Sequence, residues 1–211
     1  MSVFLVSSIQ AASGKTTIAM HLAEGLRRQA STALLLIDDT EQGFEWVAAE
    51  QPDFSFEYCN THQMTNAEIE QRLKPLQQNF THVVIDMSGH DTPLLRSILK
   101  TTDKLLIPTT SGQQDLAHVA EMLELAISFK PYQPQLQLFI VFNRIPAQTT
   151  LEQLDIGREL LADVPYAHFL NTIIYQDDLF EQRFNDQKNI WQKMSLTHKV
   201  MDAFVAEVLA H

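Results

Sequence analysis

Ser13-Gly14-Lys15-Thr16-Thr17 has the residue types and the order needed to hold a triphosphate. A glycine-containing loop that runs into a helix N-terminus points backbone N–H groups at phosphate oxygens. Lys15 would neutralise β- and γ-phosphate charge, and the Thr16 hydroxyl would ligate Mg2+. The first glycine of the G-x-x-x-x-G-K-[ST] pattern is absent, because Ile9 stands there. Two aspartates end apolar runs elsewhere in the chain: Asp38 after Leu34-Leu35-Leu36-Ile37, and Asp86 after Val83-Val84-Ile85. A carboxylate at the end of a buried strand is costly without a partner. Mg2+ and its water shell would be such a partner, with carboxylate oxygens as hard ligands. Each aspartate alone reads equally as a turn former or helix cap. Together with the loop, Thr16, Asp38 and Asp86 read as a metal-binding set.

The elements that must position these residues follow from hydrophobic spacing. Val3–Val6, Ala33–Ile37, His82–Ile85, Leu105–Ile107 and Leu136–Phe142 are continuous apolar runs of strand length, the fourth ended by Pro108. Helical patterns alternate with them. One runs from Thr16 to about Gln29, with Ile18, Leu22 and Leu26 on one face. A second, Thr65 to Leu76, opens with the capping box Thr65-x-x-Glu68. A third starts at Asp91-Thr92-Pro93, where proline in the first turn costs no hydrogen bond. Gln114–Phe129 and Thr149–Leu161 follow, the latter with a Thr149-x-x-Glu152 box, and Ser195 to Leu209 closes the chain. Apolar strands alternating with helices predict an α/β fold, a mostly parallel twisted sheet with helices on both faces. Ligands of such sheets sit at the carboxyl ends of the strands, which is where the loop and both aspartates fall.

The 211 residues are 45% apolar, enough for one core, and a single domain over residues 1–211 is expected. One cysteine, Cys59, excludes a disulfide framework and any all-cysteine metal site. No histidine pair has the helical spacing of a zinc site. Met1–Val6 reads as a strand rather than a leader, and no apolar run approaches the ~20 residues of a membrane span. A cytoplasmic protein without membrane attachment is expected. A formal net charge of −11 argues against a broad nucleic-acid surface, though not against a local one.

In order along the chain, these segments resemble the ParA/MinD family, the deviant-Walker P-loop NTPases of plasmid and chromosome partition. Gln10-Ala11-Ala12-Ser13-Gly14-Lys15-Thr16-Thr17 is similar to that family's Lys-Gly-Gly-x-Gly-Lys-Thr-Thr. Leu36-Ile37-Asp38-Asp39-Thr40-Glu41-Gln42-Gly43 resembles its Leu-Ile-Asp-x-Asp-Pro-Gln-Gly, and Val84-Ile85-Asp86 its Walker B strand. Thr102–Pro108 resembles the Ala-Asp-x-Val-Leu-Ile-Pro segment, and Phe142-Asn143-Arg144 a strand end that helps hold adenine. The resemblance covers most of the chain and fits the short branch without a helix-turn-helix domain. It implies ATP and Mg2+ as cofactors, with Gln10 through Thr17, Asn143 and Arg144 at the nucleotide. It implies Lys15, Asp39 and Thr40 as the residues nearest the chemistry. It further implies an ATP-bound homodimer on nucleoid DNA, a ParB-like stimulatory partner, and a cargo such as a plasmid or chromosome origin.

Three departures bear on that reading. Gln10 replaces the lysine that reaches the partner's phosphates, and a glutamine carries no charge to offset them. Ala11 and Ala12 replace glycines, at a cost of roughly 1 kcal/mol each wherever φ is positive. Thr40 falls where a second aspartate orients the attacking water, with Asp39 one residue away as the substitute. Nucleotide binding is therefore expected more firmly than turnover, and a nucleotide-binding adaptor with little hydrolysis is the competing function. Trp46 reads either as an amphipathic core residue or as one packed beneath the loop that senses nucleotide. His90-Asp91 reads either as a γ-phosphate contact or as a helix-capping aspartate beside a surface histidine. Arg183, Lys188, Lys193 and Lys199, interleaved with Trp191, read either as a DNA-binding patch or as a solvated face.

Overall fold

A computed structural model describes residues 1–49, 54–176 and 196–211. Within them, seven parallel strands form one sheet: β1 (Ser2–Ser8), β2 (Thr32–Asp38), β3 (Ser55–Asn60), β4 (His82–Ser88), β5 (Lys104–Thr109), β6 (Gln137–Phe142) and β7 (Ala167–Phe169). Their spatial order is β3-β2-β4-β1-β5-β6-β7. Between them run α1 (Lys15–Arg27), α2 (Gln42–Ala49), α3 (Asn66–Asn79), α4 (Pro93–Leu99), α5 (Gln113–Ile127) and α6 (Leu151–Leu160). After the strands comes α7 (Leu196–Ala210).

The pleat divides the strand side chains between two buried layers. On β1, Val3 and Leu5 join the layer under α3, α4, α5 and α6, while Phe4 and Val6 join the layer under α1, α2 and α7. The other long strands divide likewise: Leu35 and Ile37 against Leu34 and Leu36 on β2, Leu138 and Ile140 against Phe139 and Val141 on β6. A sheet covered on both faces needs strands that are apolar at every position, and this is why the runs were visible in the sequence.

The structure corrects four expectations. Strand β5 continues through Pro108 to Thr109. Thr109 offers its carbonyl to Asn143 on the β6 side, so Pro108 faces β1, whose ladder with β5 stops at Val6 opposite Leu106. The missing proline N–H therefore breaks no ladder bond. The last capping box is Thr150 with Gln153, one residue later than expected, because the Thr149 N–H is held by the Pro146 carbonyl. Thr92, not Asp91, caps α4, while Asp91 grips Arg96 through two 2.6 Å hydrogen bonds. Finally, α2, β3 and β7 form where the sequence suggested no element.

The last helix packs on the sheet. Met201, Phe204, Val205 and Val208 are buried. Asp202 pairs with Arg28 at 2.9 Å, and Glu207 accepts hydrogen bonds from the backbone and side chains of Asn171 and Thr172. No helix among the described residues is long and apolar enough to cross a membrane.

Candidate functional site

Strand order decides which loops meet. Strand β4 lies between β2 and β1, in register with both, so Asp38, Asp86 and the loop after β1 emerge side by side. They line a cleft of about 1040 Å3 with Lys15, Thr16, Trp46, His62 and His90 among its walls.

The loop is shaped by two positive φ angles, 55° at Ala12 and 83° at Gly14. A Cβ on Gly14 would stand 2.4 Å from Asn143 Nδ2, so this position requires glycine on both conformational and steric grounds. Ala12 holds the same left-handed conformation at a cost of about 1–2 kcal/mol, which the loop's clamps must offset. Asn143 Nδ2 donates to the Ser13 carbonyl at 2.8 Å, and Arg144 Nη1 to the Ala12 carbonyl at 2.7 Å. These two residues therefore grip the back of the loop rather than line the cleft. Arg144 itself sits at φ 57°. Gln10 also lies outside the cleft wall: its carbonyl accepts from Lys15 Nζ at 3.0 Å, and its side-chain Oε1 is buried without a hydrogen-bond partner among the described residues. Ala11 through Thr17 all reach the cleft.

Helix α1 begins at Lys15 with no side-chain cap among the described residues, as does α5 after Gly112, whereas α3, α4 and α6 are each capped by a threonine. The N–H groups of a helix's first turn have no intrahelical acceptor. The residues that carry them, Lys15, Thr16 and Thr17, line the cleft, an arrangement suited to an anion.

Burial disfavours the charged form of the ionisable groups that meet here. It pushes the Asp86 carboxyl up to about 6, against the pull of the Thr16 hydroxyl and of Lys15. Thr16 Oγ1 donates to Asp86 Oδ2 at 2.6 Å. Burial lowers the Lys15 ammonium, opposed by Asp86 and Asp38. Burial likewise raises Asp38, whose Oδ1 accepts from the Asp39 N–H at 2.9 Å and whose Oδ2 accepts from the Thr40 hydroxyl at 3.2 Å. A buried lysine gains from an anion, and two carboxylates made costly by burial gain from a divalent cation. The donor set thus fits a magnesium–triphosphate: oxygens of Thr16, Asp86 and Asp38 for the metal, Lys15 and the α1 N-terminus for the phosphates. Mg2+ held there would supply positive charge to offset that of the phosphates.

Trp46 is a core residue, buried in the layer under α1, and it also lines the cleft. His90 stands on the cleft wall with Nδ1 2.6 Å from Ser88 Oγ, so the histidine joins the site and Asp91 does not. Sequence reasoning missed His62 and Asn66, which line the cleft from the turn after β3 and the first residue of α3, and Tyr58 on β3 itself; no motif pointed to any of them. Of the basic patch, Arg183, Lys188 and Lys193, with Trp191, lie outside the described residues; Lys199 is exposed on α7.

No protein-family model matches this chain, and no curated protein matches it by sequence. Solved structures do. Apo McdA of Cyanothece superposes with a TM-score of 0.76 at 15% identity, over 99% of each chain. A plasmid partition protein of Borrelia burgdorferi bound to AMPPNP gives 0.75 at 13% identity, over 99% of this chain and 98% of that one. The pNOB8 ParA bound to nonspecific DNA gives 0.60 at 14% identity, over 99% and 97%. The chain has the fold of the ParA/MinD ATPases along its whole length.

Proposed function

We propose that this chain is a ParA-like ATPase that partitions or positions a plasmid, a chromosome or another intracellular cargo. The observation that carries the reading is the meeting of Lys15, Thr16, Asp38 and Asp86 at adjacent strand ends, around an uncapped helix N-terminus. ATP and Mg2+ are held at the loop from Gln10 to Thr17, a loop that Asn143 and Arg144 brace from behind. Asp39 and Thr40 stand nearest the attacking water, and Lys15 carries the γ-phosphate charge. In the ATP state the chain forms a homodimer, binds DNA without sequence preference, and is released when a ParB-like or other partner stimulates hydrolysis. The similar structures in complex with AMPPNP and with nonspecific DNA support this reading by their fold.

A second reading, a nucleotide-binding adaptor that hydrolyses little, is favoured by two features. The Gln10 amide oxygen is turned inward, and the Thr40 hydroxyl is committed to Asp38. Calorimetry with ATP and ADP in Mg2+, on wild type and Lys15→Ala, with scattering to read mass, separates the readings. Binding that raises the mass to a dimer and disappears in Lys15→Ala is expected for the switch. Binding without a change of mass would favour the adaptor. Wild type that binds neither nucleotide would refute both.

A further inference from the structure

Strand β3 supplies a residue that reaches the loop between β2 and α2. We infer that Tyr58 is a positioning residue, whose hydroxyl fixes the backbone of the Asp38–Glu41 loop so that Asp39 and Thr40 face the phosphate end of the cleft. The inference rests on the ATPase reading.

Tyr58 Oη donates to the Thr40 carbonyl at 2.9 Å, and Asn60 Nδ2 donates to Tyr58 Oη at 3.1 Å. Asn60 Oδ1 in turn accepts the His62 N–H at 2.9 Å. The three bonds run head to tail from the turn after β3 to the loop after β2, and a chain of like-directed bonds polarises each member. A fourth bond, from the Thr61 N–H to the Asp38 carbonyl at 3.0 Å, ties the other end of the same loop to the same turn. The Tyr58 ring lies nearly parallel to Phe44 of α2, with centroids 5.3 Å apart. Tyr58 thus holds the loop by its hydroxyl and the helix that follows by its ring. Burial, together with the charges of Glu41, Asp38 and Asp39, raises the phenol despite the Asn60 hydrogen bond, so it remains the donor.

The loop gains from such an external hold. Within the loop, Asp39 and Thr40 are bonded to Asp38, through the Asp39 N–H and the Thr40 hydroxyl. Asp38, Asp39, Thr40 and His62 all line the same cleft as Lys15 and Thr16. Orientation of a reacting water is steeply sensitive to position, with an ångström of misplacement worth about 100-fold in rate. Tyr58 is not among the residues that line the cleft, so removing its hydroxyl takes away no direct nucleotide contact.

Tyr58→Phe keeps the ring, its stacking on Phe44 and its bulk, and removes only the hydroxyl. Hydrogen exchange of the amides of residues 39–41 in the nucleotide-free protein reads the tether directly. Faster exchange there is expected, with the melting temperature of the protein nearly unchanged. The MgATP dissociation constant should stay within about twofold while kcat falls about tenfold, a split that a general loss of structure would not give. Asn60→Ala should move both readouts in the same direction by less. Unchanged exchange, or a variant that turns over ATP like an active wild type, would overturn the positioning role and leave the ATPase reading intact. Wild type that binds MgATP without turnover would overturn this role together with hydrolysis.

Discussion

Asp86 and Lys15 are opposite charges placed where neither is well solvated. The arrangement has a measurable consequence before any nucleotide is added. Asp86 releases its proton near 3.8 when unfolded and at about 6 in the fold. Its favourable contribution is therefore complete below 3.8 and is lost as pH rises through about 6. The loss amounts to about 3 kcal/mol, since a tenfold change in an acid dissociation constant corresponds to about 1.4 kcal/mol. Urea unfolding of wild type and Asp86→Asn at about pH 4.5, where most of the contribution remains, and at about pH 7.5, above the transition, isolates this group. The wild-type stability should fall relative to the variant as pH rises; a difference that is flat with pH would contradict the burial argument. Mg2+ acts in the opposite sense, because it favours the ionised carboxylate. Magnesium-dependent nucleotide binding should weaken below about pH 6, and titration calorimetry across that range would show proton release on binding.

At the scale of elements, α7 is locked to α1 and to the segment after β7 by two different devices. The Gly25 position in α1 faces Val205 so closely that a Cβ there would lie 2.5 Å from Val205 Cγ2. Gly25→Ala gains about 1 kcal/mol of helix propensity but meets overpacking of about 1–3 kcal/mol. Net destabilisation is expected, relieved when Val205→Ala is added. A double-mutant cycle should give a coupling of about 1 kcal/mol or more; strict additivity would mean that the helices do not meet as described. The second device is the Glu207 carboxylate. Burial raises it, but hydrogen bonds from Asn171 and Thr172 outweigh burial and hold it below the usual glutamate range. Its contribution is present above about 4.5 and disappears as pH falls below that value. Glu207→Gln should cost about 1–2 kcal/mol at neutral pH, discounted for its partial exposure, measurable as a lower melting temperature.

For the whole molecule, a net charge of −11 sets a condition on any interaction with DNA. A diffuse surface would be repelled, so binding must come from a local cluster such as Arg183, Lys188, Lys193 and Lys199. Each phosphate contact contributes about 0.9 to the slope of log affinity against log salt on duplex DNA. Replacing all four by alanine should lower that slope by about 3–4 in the ATP-loaded protein. An unchanged slope would locate the DNA elsewhere or remove it from the function.

Strands buried on both faces were legible because the inner positions of β1, β2, β4, β5 and β6 are apolar on both faces in continuous runs. Strand β3 was not, because it is an edge strand: of Ser55–Asn60, only Cys59 and Asn60 are buried, and Phe56, Glu57 and Tyr58 are half-exposed. The three residues of β7 and the eight of α2 are too short for periodicity to register. Threonines compete for one helix cap at Thr149 and Thr150, and the turn from Pro146 to Thr149 chose between them. The residue types at the phosphate loop and the two strand-end aspartates were set by the sequence itself, since their chemistry resides in local order. What the tertiary structure decided is adjacency. A parallel sheet is joined by crossovers, and nothing local states that β4 inserts between β2 and β1. That insertion brings Asp86 to Thr16, 70 residues away in the chain. Asn143 reaches Ser13 across 130 residues through β6 and β5, and Tyr58 reaches Thr40 because β3 pairs with β2. Contacts of this kind depend on strand order and register, which the amino-acid pattern of each element constrains but does not contain.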